Sequence, residues 1–224
     1  SPGKEELRRG EPFVGPAGRE LDNFLRSAGL RREDIYITNV IKDVNPPSDE
    51  KEKHASFFDS DMPTKAYMDG ILGLAAEFRD WRPNVLVPLG NYALWALTQK
   101  SGIMKQRGSI LESTLIRGCK TIPTIHPAWY LHAFAPEKKI LGNWDFQRIA
   151  AQSRFPEILR KRREFLVNPT KEDIDEAIAR FTDPSLVYLG ADSEWYGPDS
   201  LAYIAFSDND EEAICITPDS MQAY

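Results

Sequence analysis

Four places in this 224-residue sequence hold side chains whose type and setting could do chemistry. Phe13 stands within Gly10-Glu-Pro-Phe-Val-Gly-Pro-Ala-Gly18, where three glycines and two prolines exclude a helix or a central strand and make a loop whose backbone comes close to something. A large apolar ring there either plugs the edge of a core or offers a flat face to a ligand. Asn39 ends the run Ile35-Tyr36-Ile37-Thr38, and its amide can donate to a carbonyl while accepting from an N–H. His126 heads a His-Pro pair after an apolar stretch, with a ring N–H to give; taken alone, such a pair is at least as often a turn. Asp192 and Glu194 lie two apart on a predicted strand and so point to one side, an arrangement that holds a divalent cation for phosphodiester hydrolysis but is also common on a solvated strand edge.

The elements that must position these groups follow from periodicity. Leu21, Phe24, Leu25 and Leu30 recur at helical spacing, and Ile35 to Thr38 reads as a short buried strand ending on Asn39. Loop, helix, strand and a polar residue at the strand's carboxyl end is where open α/β sheets place ligands. Ser48 to Pro63 is polar and without period, a surface loop in which His54 reads as a solvated histidine. Tyr67, Ile71, Leu74 and Phe78 mark a second helix; Asn84 to Gly90 is a buried strand closed by glycine, and a third helix begins near Ala93. Ser109 to Ile116 and Lys120 to Ile125 predict a hairpin turning at Arg117-Gly118. Trp144, Phe146, Ile149 and Ala150 predict a closing helix, with Asp145 as a solvated or capping carboxylate. Further on, Thr170 and Asp173 have capping-box spacing, and strands are expected at 185–195, 201–206 and 213–217.

Charge divides the chain. Residues 1–164 carry 26 lysines and arginines against 21 acidic residues, a surplus of five, whereas residues 165–224 carry 2 against 13, a deficit of eleven. The first part could meet a phosphate backbone, and the second could not without cations. The shift predicts two domains, 1–164 and 165–224. No apolar run is long enough to span a membrane, so a cytoplasmic protein with no membrane partner is expected. Cys119 and Cys215 share no metal-ligand spacing, which argues against a disulfide framework or a zinc site.

Residues 10–42 resemble the uracil-DNA glycosylase superfamily, particularly its family 4, whose segment reads G-x-P-F-V-G-x-A-G, a helix, then Y-x-T-N-x-x-K. Pro123 to Leu131 is similar to the family's T-x-H-P-[AS]-x-x-L, and Gly102 to Gly108 resembles its loop ending in R-G. Ser1-Pro2-Gly3 looks like the tail of the family's first motif, implying a fragment whose water-positioning residue precedes Ser1. The resemblance implies an α/β fold, a three-layer α/β/α sandwich with a mostly parallel central sheet. It also implies removal of a flipped uracil from single- or double-stranded DNA, in a bacterial or phage-infected cell. Phe13 would stack on the base. Asn39 would read its edge, and His126 would donate to the oxygen where charge grows. Gly15, Thr38, Pro127 and Leu131 would complete the pocket, with Trp129, Tyr130 and Leu131 as a wedge into the duplex. Lys42, Lys105 and Arg107 would touch phosphates.

Departures from the family are visible. Lys42-Asp43-Val44 stands where family 4 shows K-C-R, and two cysteines cannot build that family's four-thiolate iron–sulfur cluster, so no cluster and no other cofactor is expected for this part. His132 stands where the family has an arginine. Asp192-x-Glu194 and the strands after it resemble the incomplete start of an RNase H-like, DnaQ-type 3′–5′ exonuclease, with Mg2+ at that pair in a longer protein. The whole looks like the amino-terminal region of a bacteriophage-type family A DNA polymerase. The alternatives are a DNA-binding or uracil-sensing module without hydrolysis and, as a third class, a small-molecule enzyme.

Overall fold

A computed structural model describes residues 4–42, 54–55, 57–60, 62–79, 81–132, 136–159, 162–198 and 200–218. The chain forms two compact units, Ser1–Ile158 and Leu159–Tyr224, so residues 159–164 go with the second unit.

In the first unit, α1 (Lys4–Arg9) leads through the Phe13 loop into α2 (Pro16–Ser27), which begins with proline at a position whose N–H would go unused. A two-stranded ribbon, β1 (Phe58–Asp59) and β2 (Met62–Pro63), precedes α3 (Lys65–Glu77), whose first turn is capped by the Thr64 hydroxyl accepting from the Tyr67 N–H. Then come β3 (Val85–Leu86), α4 (Asn91–Thr98), α5 (Ile103–Gln106), β4 (Leu111–Glu112), β5 (Lys120–Thr121), α6 (Pro127–His132) and α7 (Lys139–Gln152). The sheet order is β3-β5-β4, with β3 parallel and β4 antiparallel to β5, and a parallel bridge from Leu89 to Thr124 carries the pairing toward His126. The unit is therefore a mixed α/β fold, and among the described residues its sheet is small and evenly mixed rather than mostly parallel. Residues 36–42, expected to contain the tail of a strand, lie outside any strand.

Three apolar clusters hold these pieces. Leu21, Phe24 and Leu25 of α2 pack on Ile122, Ile125, Tyr130, Phe146 and Ile149, with the Phe24 and Phe146 rings stacked at 5.4 Å. Each such buried side chain is worth about 1.5–3 kcal/mol. Tyr130 is therefore core and cannot wedge into DNA, a correction to the expected role that follows from its 4% exposure. A second cluster joins Ile41, Phe57, Tyr67, Ile71 and Ala96, and a third Leu74, Phe78, Leu86, Leu97 and Cys119. His54 is not merely solvated: it stacks on Phe58 at 5.6 Å and meets the Tyr92 hydroxyl at 3.3 Å.

In the second unit, β6 (Glu164–Val167), β7 (Gly190–Gly197), β8 (Ser200–Ser207) and β9 (Glu212–Ile216) form a sheet ordered β6-β9-β8-β7, joined by α8 (Lys171–Phe181). Only the β6–β9 pair is parallel. The capping box of Thr170 and Asp173 is present as expected, whereas β6 was not anticipated and residues 185–189 are not strand. No helix among the described residues is long and apolar enough to cross a membrane.

Candidate functional site

The Phe13 loop is set by contacts that the polypeptide makes with itself. Phe13 has φ +55, a left-handed backbone uncommon outside glycine. Three neighbours hold it there. Gly18 lies against the Phe13 carbonyl, the Gly15 N–H donates to Glu6 Oε1 at 3.0 Å, and Arg32 Nη2 donates to the carbonyls of Pro12 and Phe13 at 2.8 and 3.1 Å. Arg32 is itself tethered by Asp22 at 2.7 Å. No local pattern singles out Arg32; it sits in a polar run after the helix.

Asn39 lies on the extended segment 36–42, between a core contact at Ile37 and the buried Ile41. Its neighbours turn the other way: Tyr36 and Thr38 hydroxyls donate to the Glu77 carboxylate at 3.0 and 3.2 Å, and the Lys42 ammonium also pairs with Glu77. Thr38 thus lines the cleft with its hydroxyl committed to Glu77, and Lys42 is held by a carboxylate where a phosphate was expected.

His126 follows β5 and precedes α6. Its Nδ1 accepts from the Ala128 N–H at 3.2 Å, which in the neutral ring assigns the proton to Nε2 and makes that nitrogen a donor. Gly90, at φ +86, lets the chain pass beside it; a Cβ there would stand 3.2 Å from His126 Cβ. Two residues before His126, Thr124 donates to Asp145 Oδ2 at 2.7 Å. Asp145 in turn takes both arms of Arg107, Nε at 3.0 Å and Nη2 at 2.7 Å, while Nη2 also reaches the Leu141 carbonyl. Asp145 is buried, at 3% exposure, not a solvated or capping carboxylate, and Arg107, expected at a phosphate, has its Nε and Nη2 engaged within the protein. Burial pushes the Asp145 carboxyl up, against the pull of Thr124 and Arg107. The neighbouring Tyr130 phenol is pushed up to about 12, again by burial.

Phe13, Thr38, Asn39 and His126 line one cleft of about 1320 Å³, with Gly90, Ala128 and Trp129. The Phe13 and His126 rings stand 5.5 Å apart, tilted by 33°. Gly15 and Pro127 are buried and do not line the cleft, and Leu131 and Trp129 stay exposed on α6. Lys105 is exposed on α5. Asp192 and Glu194 are exposed on β7 of the other unit, and no group of three or more candidate metal ligands occurs among the described residues.

The chain belongs to the uracil DNA glycosylase superfamily, whose model matches residues 1–152. It is 37% identical over 136 residues to the type-4 uracil-DNA glycosylase of Thermotoga maritima, covering 58% of this chain and 62% of that protein. It is 32% identical over 160 residues to the type-4 enzyme of Archaeoglobus fulgidus, covering 66% of this chain and 71% of that one. A DNA polymerase of Bacillus phage SP01 is 32% identical over 127 residues, 54% of this chain but 12% of the polymerase. The chain thus spans somewhat under two thirds of the Thermotoga relative.

Proposed function

We propose that the first unit hydrolyses the N-glycosidic bond of deoxyuridine in DNA, the reaction named for its type-4 relatives. The observation that carries this is the meeting of Phe13, Asn39 and His126 on one cleft. A flipped uracil stacks on Phe13, a contact worth about 1–3 kcal/mol per base. The Asn39 amide donates to the O4 carbonyl and accepts from the N3–H, which uracil offers and cytosine does not. As the bond to the sugar breaks, the sugar becomes cationic and charge collects on the uracil O2; the His126 Nε2–H donates to it, and losing one such aimed donor costs about 2.7–4 kcal/mol of barrier. Water supplies hydroxide to C1′ and a proton to the leaving base. Trp129 and Leu131, exposed on α6, fill the gap in the strand in this reading.

The family's iron–sulfur cluster does not fit the residues present. The sequence holds two cysteines where four thiolates are needed. Cys119 is buried in the third apolar cluster with its thiol directed at the Pro83 carbonyl, and Cys215 belongs to the other unit.

The second unit is read as the opening of a 3′–5′ exonuclease domain of a phage-type DNA polymerase, with Mg2+ held at Asp192 and Glu194. Supporting this is the shared side of β7 on which the two carboxylates stand.

The test is base release from a uracil-containing single-stranded oligonucleotide at low salt, by this chain and by the same chain extended with the family's Gly-Glu ahead of Ser1. Release that Asn39→Ala lowers sharply, to a slow but measurable rate, is expected. Tight, salt-sensitive binding without release by either protein would make the unit a DNA-gripping module instead.

A further inference from the structure

We propose that Glu77 is a positioning residue for Asn39, and that helix α3 sets where the base-reading amide stands; this rests on the glycosylase reading above. Among the described residues segment 36–42 pairs with no strand, so no ladder of backbone hydrogen bonds within them fixes its register. Helix α3 does so instead, at two points that bracket Asn39. On one side the Glu77 carboxylate, 19% exposed at the last turn of α3, collects Thr38 Oγ1, the Tyr36 hydroxyl and the Lys42 ammonium. On the other side Gly70 meets the segment's backbone: a Cβ there would stand 2.2 Å from the Val40 carbonyl oxygen. Gly70 and Glu77 are seven residues apart, two turns along one helix face. The helix is anchored independently, by buried Tyr67, Ile71 and Leu74 and by the Thr64 cap.

The chemistry of the three partners explains why a carboxylate serves here. It accepts several hydrogen bonds at once, and bonds to a charged acceptor are short and strong. The Lys42 pair is half exposed and so adds little by itself. The two hydroxyls are therefore the important contacts, and they come from Tyr36 and Thr38, both on the segment that carries Asn39. The structure places Glu77 behind that segment, so its effect on the reaction runs through the segment it holds. Displacing a positioned group by about 1 Å can lower a rate about 100-fold.

The experiment compares Glu77→Ala and Glu77→Gln with wild type in single-turnover release of uracil, alone and in an Asn39→Ala background. It is paired with the affinity of each protein for DNA holding a 2′-fluoro-deoxyuridine, which resists hydrolysis, against the same DNA holding thymidine. Expected are a loss of about 10- to 100-fold in release for Glu77→Ala, a smaller loss for Glu77→Gln, and a matching fall in preference for the uracil analogue. In the Asn39→Ala background either Glu77 change should add less than about twofold, because the group it positions is gone. Urea midpoints report whether each variant is folded, and Glu77→Gln, which keeps the side chain's shape, carries the cycle if Glu77→Ala does not fold. Wild-type rates in both variants, or an equal loss with and without Asn39, overturns the proposal while leaving the glycosylase reading intact. A wild-type protein that neither releases uracil nor prefers the analogue overturns that reading and this proposal with it.

Discussion

Gly18 stands so close to the carbonyl of Phe13 that a Cβ added to it would lie 1.8 Å from the oxygen and 2.3 Å from the carbon. Both atoms it would meet are backbone, so no rotamer change relieves the contact. Gly18→Ala must shift the loop that carries the Phe13 ring, and base release should fall about 100-fold, as a displacement near 1 Å does. Gly73 is the control: it lies inside α3 with nothing within 4 Å of its added Cβ. Gly73→Ala should keep full release and gain about 0.4–1 kcal/mol in a urea titration.

Arg32 holds the same loop from the other side, bridging Asp22 to the carbonyls of Pro12 and Phe13. Arg32→Met removes those donors and leaves Phe13 at a positive φ without its clamp. Uracil release should fall, with a loss of about 1.5–3 kcal/mol in stability for the charged hydrogen bonds removed. Arg32→Lys should not restore it, since an ammonium is a point charge that cannot span a carboxylate and two carbonyls as a planar fork does. Steady-state release and denaturation of the two variants check both statements.

The Arg107–Asp145 pair joins the loop before β4 to α7 beneath the strand that delivers His126. Asp145→Ala removes the buried partner of a half-buried guanidinium and the Thr124 acceptor, and should destabilise the protein by up to about 3 kcal/mol. The joint replacement Arg107→Met with Asp145→Leu should recover most of that in denaturation, because an apolar pair of similar volume replaces an ion pair that had to be desolvated. Salt dependence of DNA binding should not change for Arg107→Met, as the guanidinium neutralises a carboxylate and not a phosphate.

Asp173 gives the cap of α8 an acid-sensitive contact. Hydrogen bonds from the Thr170 hydroxyl and N–H hold its carboxyl below the usual carboxylate range. A folded-state value below the unfolded one gives stability that is present above the usual range and lost as pH falls through the folded value. Helicity of the whole chain, followed by circular dichroism through that acid window, should show a loss in wild type that Asp173→Asn does not repeat.

What the sequence made legible tracks the distance over which each arrangement is fixed. The Phe13 loop, the Asn39 segment and His126-Pro127 are short motifs, and α2, α3, α4 and α7 follow from their own apolar spacing. The partners that hold the motifs do not. Arg32 reaches back 20 residues to Pro12, Arg107 reaches Asp145 across 38, and Thr38 reaches Glu77 across 39, and no periodicity encodes such meetings. Alternation in residues 35–38 was read as a strand, yet alternation reports only that one side faces a core; here a helix supplies the other side. Strand β6 was missed because four residues beside a basic run resemble a linker until β9, 48 residues on, pairs with them.

The left-handed backbone at Phe13 has a kinetic consequence. Arg32, Gly18 and Glu6 fix the loop before any ligand arrives, so its ordering entropy is settled when the chain folds and not when DNA binds. For a uracil glycosylase built this way, the slow conformational event belongs to the nucleic acid: the time needed is that for a base to swing out of its stack, and a uracil opposite a mismatch should reach the waiting ring sooner than one in a matched pair.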